Sequence, residues 1–124
     1  MSQQDIQRFN TTPVMSAVTV FNNVVYLSGQ VPKNPDLDIN GQTQDVLNTI
    51  DQLLAQANSD KSRILSAQLF LKDLSDFSVV NEIWIDWLKD HATPARATIQ
   101  ADLVNPKWLI EIAVIARSEE HTSE

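Results

Sequence analysis

Two ionisable side chains stand in strand-like surroundings near the C-terminal end of this sequence. Arg96 follows a Pro94-Ala95 step, and Glu111 interrupts an apolar run, with Trp108-Leu109-Ile110 before it and Ile112-Ala113-Val114-Ile115 after it. A guanidinium at a strand start offers parallel N–H donors that can clamp a carboxylate. Thr98 shares the phase of Arg96, because alternate strand residues point to one face. Glutamate is poor in strands and seldom buried without a partner. If its neighbours are buried, Glu111 needs a cation beside it or a raised pKa. The order of segments puts Arg96 and Glu111 on adjacent strands. Two arrangements stay open at this level. One is an internal Arg96–Glu111 salt bridge that holds the sheet together. The other is a working pair, with arginine gripping an anion and glutamate handling a proton or water.

Other chemistries find less support. The sequence contains no cysteine, which removes disulfides, thiolate metal sites and cysteine nucleophiles. No His/Asp/Glu group has metal-ligand spacing, so no metal is expected. There is no GxSxG elbow, P-loop, dinucleotide fingerprint or HExxH. His91 follows a helical segment and is read as a helix-end or solvent contact. Trp84 and Trp87 fall at core spacing and are read as packing. Nine Lys+Arg stand against sixteen Asp+Glu, a formal net charge of -7, with no basic cluster. Nucleic acid is therefore a disfavoured partner. The start, MSQQDIQRF, shows no apolar signal segment, and no apolar stretch has membrane-spanning length. The expectation is a soluble cytoplasmic domain.

The elements that must position these residues follow from pattern. Val18–Phe21 and Val24–Leu27 read as a hairpin turning at Asn22-Asn23, since asparagine tolerates positive φ. Ser28-Gly29-Gln30 ends the second strand, and Gly29 suggests a bend or a close backbone approach. Residues 32–42 read as a loop. Thr43 is a reasonable N-cap for a helix carrying Val46, Leu47, Ile50, Leu53, Leu54 and Ala57 on one face and ending near Asn58. Residues 64–74 alternate as a strand. Ser75 or Asp76 caps a second helix with Phe77, Val80, Ile83, Trp84, Trp87 and Leu88 as its stripe. Strands at about 96–102 and 108–116 complete the order ββαβαββ, an α+β fold with both helices on one face of a mixed sheet. Apolar residues occupy both phases of several strands, so the second face also wants burial. Other subunits are expected to cover it.

Three stretches resemble the YjgF/RidA family of reactive-intermediate deaminases. They are VVYLSGQVP, LFLKDLSDFSVVNEIW and PARATIQADLVNPKWLIEIAVIA, in order from about residue 14 to 116. The Asn105-Pro106-Lys107 turn looks closer to one small subgroup than to the founding members. The resemblance implies a chorismate-mutase-like homotrimer, related to ferredoxin-like folds, with a pocket in each subunit interface. It implies hydrolysis of enamines and imines such as 2-aminoacrylate and 2-iminopropionate to 2-keto acids and ammonia, with no cofactor. By resemblance, Arg96 binds the substrate carboxylate and Glu111 orients or activates water. Ser28 and Asn81 match polar pocket residues, Gly29 lets the backbone come close, and Phe77 matches an aromatic near the pocket wall. Thr98 stands where many members have cysteine, its backbone N–H facing the carboxylate. Met15 stands where founding members have a pocket tyrosine, and the loop before Pro94 is shorter by about two residues. Both departures bear on substrate size.

Two rivals accompany that reading. One is a trimeric binder or sensor of small 2-keto acids without turnover. The other is endoribonuclease activity, proposed for some relatives and opposed by the acidic charge. Residues 1–116 are expected to form a single domain. Residues 117–124, RSEEHTSE, are polar and aperiodic and resemble the translation of a common sequencing adapter. They are expected to be a non-native or disordered tail, with His121 outside any site.

Overall fold

The computed structural model describes residues 5–119. The chain forms β1 (Gln7–Thr11), β2 (Ser16–Phe21), β3 (Val24–Leu27), α1 (Ile39–Gln56), β4 (Ile64–Leu71), α2 (Phe77–Trp87), β5 (Ala95–Gln100) and β6 (Ile110–Arg117). Short 3-10 turns at Lys61–Arg63 and Leu74–Asp76 precede β4 and α2. The strands make a six-stranded sheet in the order β1-β2-β3-β6-β4-β5. β4 and β5, joined through α2, pair in parallel, and the other neighbours are antiparallel. This is the α+β architecture expected, with one strand more. β1 had no signature because four of its five residues are exposed and none alternates in polarity.

Period-two burial separates the faces of the sheet. Val18, Val25, Leu69, Ile112 and Val114 join one core with the apolar stripes of α1 and α2. The β2–β3 turn is as expected, with Asn22 at φ 52 and Asn23 at φ 66. β4 carries an irregularity between Ile64 and Ser66 in its pairing with β6. That shift turns Leu65 out to 51% exposure while Ala67, Leu69 and Leu71 stay buried.

The start of α1 differs from expectation, whereas α2 starts at Phe77 with Asp76 at its N-cap position, as expected. α1 begins four residues before Thr43, capped by Asp38, whose Oδ1 accepts from the Gly41 N–H at 2.8 Å. Thr43 is buried inside the helix and its hydroxyl donates to the Ile39 carbonyl at 2.7 Å. Asn40-Gly41 had looked like loop. Gly41 serves there because a Cβ on it would lie 2.9 Å from that of Leu37. Before α2, the Asp73 side chain accepts from the Ser75 N–H, while Asp76 makes no side-chain cap bond.

At the other end, β6 runs through Arg117, and the N–H groups of Ser118 and Glu119 donate to the carbonyls of Asn23 and Asn58. Hydrogen bonding to the body of the fold therefore reaches Glu119. Residues 120–124, with His121, lie outside the described residues. Among the described residues, no helix is long and apolar enough to cross a membrane.

The helix-free face stays open. Tyr26 and Ile99 on it are 44% and 45% exposed, beside half-buried Phe70, Ala113 and Ile115. A hollow of about 260 Å³ is lined there by Tyr26, Ser66, Gln68, Ala113 and Ile115, among others.

Candidate functional site

Register decides where each side chain points. Ala67 of β4 pairs with Arg96 and Leu69 with Thr98. Ala67 and Leu69 are buried under the helices, so Arg96 and Thr98 lie on the helix face, on the edge strand. Phe70 pairs with Ile99 on one side and Glu111 on the other. Glu111 therefore lies on the open face. β4 stands between the strands that carry the two residues, so the expectation of adjacent strands is corrected. No internal Arg96–Glu111 salt bridge exists. Both faces of one sheet separate the charges.

The Arg96 half of the site is built by α2. Its Nη2 donates to Asn81 Oδ1 at 2.6 Å and to Thr98 Oγ1 at 2.9 Å, and its Nε donates to Thr98 Oγ1 at 3.1 Å. The Phe77 and Trp84 rings lie 5.7 Å and 5.4 Å from its guanidinium carbon, a cation–π distance. Phe77, Asn81 and Trp84 recur at helical spacing and share one side of α2. All these partners are neutral, and among the described residues no carboxylate pairs with Arg96. Burial lowers the guanidinium pKa from its ordinary value. The group nevertheless stays cationic at neutral pH. The result is a half-buried, oriented cation with one edge of its fork unused.

The Glu111 half is built by the turn after β3. The Ser28 N–H donates to the Ala17 carbonyl and its hydroxyl to the Ser16 carbonyl at 2.7 Å. Gln30 and Ile112 exchange both backbone hydrogen bonds, at 2.8 Å and 3.0 Å. These contacts press Gly29 against the carboxylate. A Cβ on Gly29 would lie 2.0 Å from Glu111 Oε2 and 2.9 Å from its Cδ. Among the described residues the Glu111 carboxylate has no ion pair and no hydrogen-bond partner. Phe70 lies opposite Glu111 in the β4–β6 register, and the carboxylate oxygens are unclaimed. Met15, 56% exposed, adjoins Ser16 at the tip of the β1–β2 hairpin. Its backbone N–H and carbonyl are both held by Thr12.

The residues singled out in the sequence thus fall into two groups. Phe77, Asn81, Arg96 and Thr98 form the first. Met15, Ser28, Gly29 and Glu111 form the second. The first group is joined by contacts with Arg96, and in the second Gly29 lies against Glu111 while Met15 is linked only through its chain neighbour Ser16, whose carbonyl the Ser28 hydroxyl holds. Trp84 packs in the core as expected and also faces Arg96. Its place three residues after Asn81 was the available signal. Phe70 was missed because strand phase alone does not reveal which residue lies opposite Glu111. His91 is exposed and takes no part in either group. Among the described residues no three His, Asp or Glu side chains come together to hold a metal.

Comparisons with known proteins bear on this geometry. Residues 6–118 match the family model described as Endoribonuclease L-PSP. A RutC family protein of Haemophilus influenzae is 42% identical over 112 residues, spanning 90% of this chain and 97% of that one. The 3-aminoacrylate deaminase RutC of Acinetobacter baylyi is 35% identical over 104 residues, spanning 79% and 82%. A solved structure of a YjgF family member from Neisseria meningitidis gives a TM-score of 0.93 at 38% identity, over 97% of this chain and 100% of that one.

Proposed function

The chain belongs to the YjgF/RidA family, and on that premise we propose that it hydrolyses reactive enamine and imine acids of the 2-aminoacrylate/2-iminopropionate type. The products are a 2-keto acid and ammonia. The observation that carries this reading is Arg96. A guanidinium that is half-buried, oriented by neutral groups and free of any carboxylate is set up for an anion from outside. The name of the Acinetobacter relative, an aminoacrylate deaminase, supports a small carboxylate-bearing enamine as that anion.

One copy cannot place both charged groups on one small substrate, because they lie on opposite faces of the sheet. The apolar open face supports packing against other copies of the chain. In a closed ring of three, Glu111 of one copy meets Arg96 of the next. The substrate carboxylate docks on Arg96, and the imine carbon faces a water held by Glu111. Water adds to the C=N carbon while Glu111 takes its proton, giving a carbinolamine. The carbinolamine re-forms a carbonyl, and the nitrogen leaves as ammonia with the proton that Glu111 returns. An enamine enters by first taking a proton at its β-carbon. No step uses a metal or cofactor.

The test is imine clearance. An amino-acid oxidase generates 2-iminopropionate or 2-iminobutyrate, and semicarbazide traps what remains. Wild type is expected to suppress trapping and Arg96→Ala to leave it unchanged. Absence of suppression by wild type with either imine contradicts hydrolysis of small imines. The keto-acid sensor is separated by Glu111→Gln, which in an enzyme keeps 2-keto acid binding and loses turnover.

A further inference from the structure

Gln42 has no exposed surface, yet it carries a primary amide. Burying such a group is costly unless its donors and acceptor are satisfied. Its Nε2 donates toward the carbonyls of Pro35, Leu37 and Lys107 at 3.1, 3.0 and 3.0 Å, and its Oε1 accepts from the Leu109 N–H at 2.7 Å. Every partner is backbone. Val46, one turn along the same face of α1, is equally buried and apolar, so packing alone does not call for an amide here. The amide instead ties α1 to the loop before it and to the segment that enters β6.

That segment carries Glu111 two residues beyond Leu109. The Leu109 carbonyl also accepts from the Lys72 N–H at 3.1 Å, and Ile112 is held by Gln30 on the far side. Glu111 itself pairs with Phe70 in the β4–β6 ladder and lies between these two further holds. The hold before it is shared between the Gln42 side chain, on the Leu109 N–H, and the Lys72 N–H, on the Leu109 carbonyl. Tolerance there is small, because the carboxylate occupies the place of the absent Gly29 Cβ. We propose that Gln42 is a positioning residue, setting the entry of β6 so that the Glu111 carboxylate stays over Gly29. The proposal rests on the hydrolase reading for its catalytic consequence.

The test compares Gln42→Met, which keeps length and loses all four hydrogen bonds, with Lys107→Ala. The latter removes the exposed Lys107–Asp36 pair from the same loop and leaves the amide contacts in place. Three quantities are measured on the full chain: kcat and KM for imine clearance, Kd for pyruvate, and amide exchange at residues 109–111. In Gln42→Met, kcat is expected to fall on the order of 10- to 100-fold. Pyruvate binding should stay at the wild-type value and exchange at 109–111 should rise. Lys107→Ala is expected to match wild type in all three. A folded Gln42→Met with wild-type kcat overturns the proposal. So does a loss of kcat matched by an equal loss of pyruvate binding, which marks general damage. If Gln42→Met does not fold, Gln42→Asn is measured against the same expectations. If wild type clears no imine, the hydrolase reading fails separately. Unchanged exchange at 109–111 then overturns the positioning role, and increased exchange supports it.

Discussion

Substituting Gly29→Ala tests the placement of Glu111 with little interference from stability. Among the described glycines none has positive φ, so alanine fits the backbone at 29. Restricting the unfolded chain then stabilises by about 0.4–1 kcal/mol. Against this, the new Cβ would meet Glu111 Oε2 at 2.0 Å, well inside ordinary contact. Glu111 lies on the open face and has no partner to lose, so it can swing away at a rotamer cost of about 0.5–1.5 kcal/mol. The two effects nearly cancel, and net stability should change by no more than about 1 kcal/mol. That corresponds to a Tm shift of about 5 °C or less for a chain of this size. The carboxylate, however, must retreat by roughly 1 Å or more to escape the overlap. A misplacement of about 1 Å at a reacting group costs on the order of 100-fold in rate. Thermal melting and imine clearance on one preparation give both numbers. Near-wild-type melting with clearance lost is the expected pair. Retained clearance would show that a carboxylate over Gly29 is not what handles the water, and the reasoning would fail there. A collapse in Tm would instead make Gly29 a structural glycine.

Arg96→Lys keeps the charge and loses the planar fork, so pyruvate affinity measured by calorimetry should weaken by about tenfold or more. Equal affinity would argue against a bidentate carboxylate clamp. Asp60 accepts from Ser62 at the start of the turn before β4, and these bonds, chiefly the one from the Ser62 side chain, lower its pKa from the ordinary 3.8. A depressed carboxylate stabilises the fold fully above its unfolded value and loses that contribution as pH falls through the folded one. Asp60→Ala should therefore lower stability near pH 7, by an amount reduced by solvent screening of this exposed side chain, and progressively less below about pH 3.8. Urea melts at the two pH values measure the difference, and a pH-independent cost would contradict the assignment.

Much of this arrangement was legible locally. Asn22-Asn23 marked the hairpin, because both residues adopt left-handed backbone that asparagine tolerates. The stripes of α1 and α2 named the core, and the shared phase of Arg96 and Thr98 survives as a hydrogen bond. What escaped was non-local. β6 inserts between β3 and β4, so chain order misled about the neighbours of β5. The faces of Arg96 and Glu111 depend on register against β4, which no local pattern encodes. Asp38 was hidden because Asn40-Gly41 has loop composition even though it is helical here. Gln42 was invisible as a tie because its four partners are backbone atoms, two of them, at Lys107 and Leu109, distant in the chain.

In the proposed function, two half-sites on opposite faces join between copies to hydrolyse imines. Arg96→Ala and Glu111→Gln each destroy a different half. Each variant alone should fail to clear 2-iminopropionate. Mixed in equal amounts, dissociated and reassembled, they should regain about a quarter of wild-type activity, since a site is intact only where neighbours contribute complementary halves. Recovery near that level is the expected result. A mixture as inactive as its two parents, or a wild-type rate in either variant alone, contradicts it.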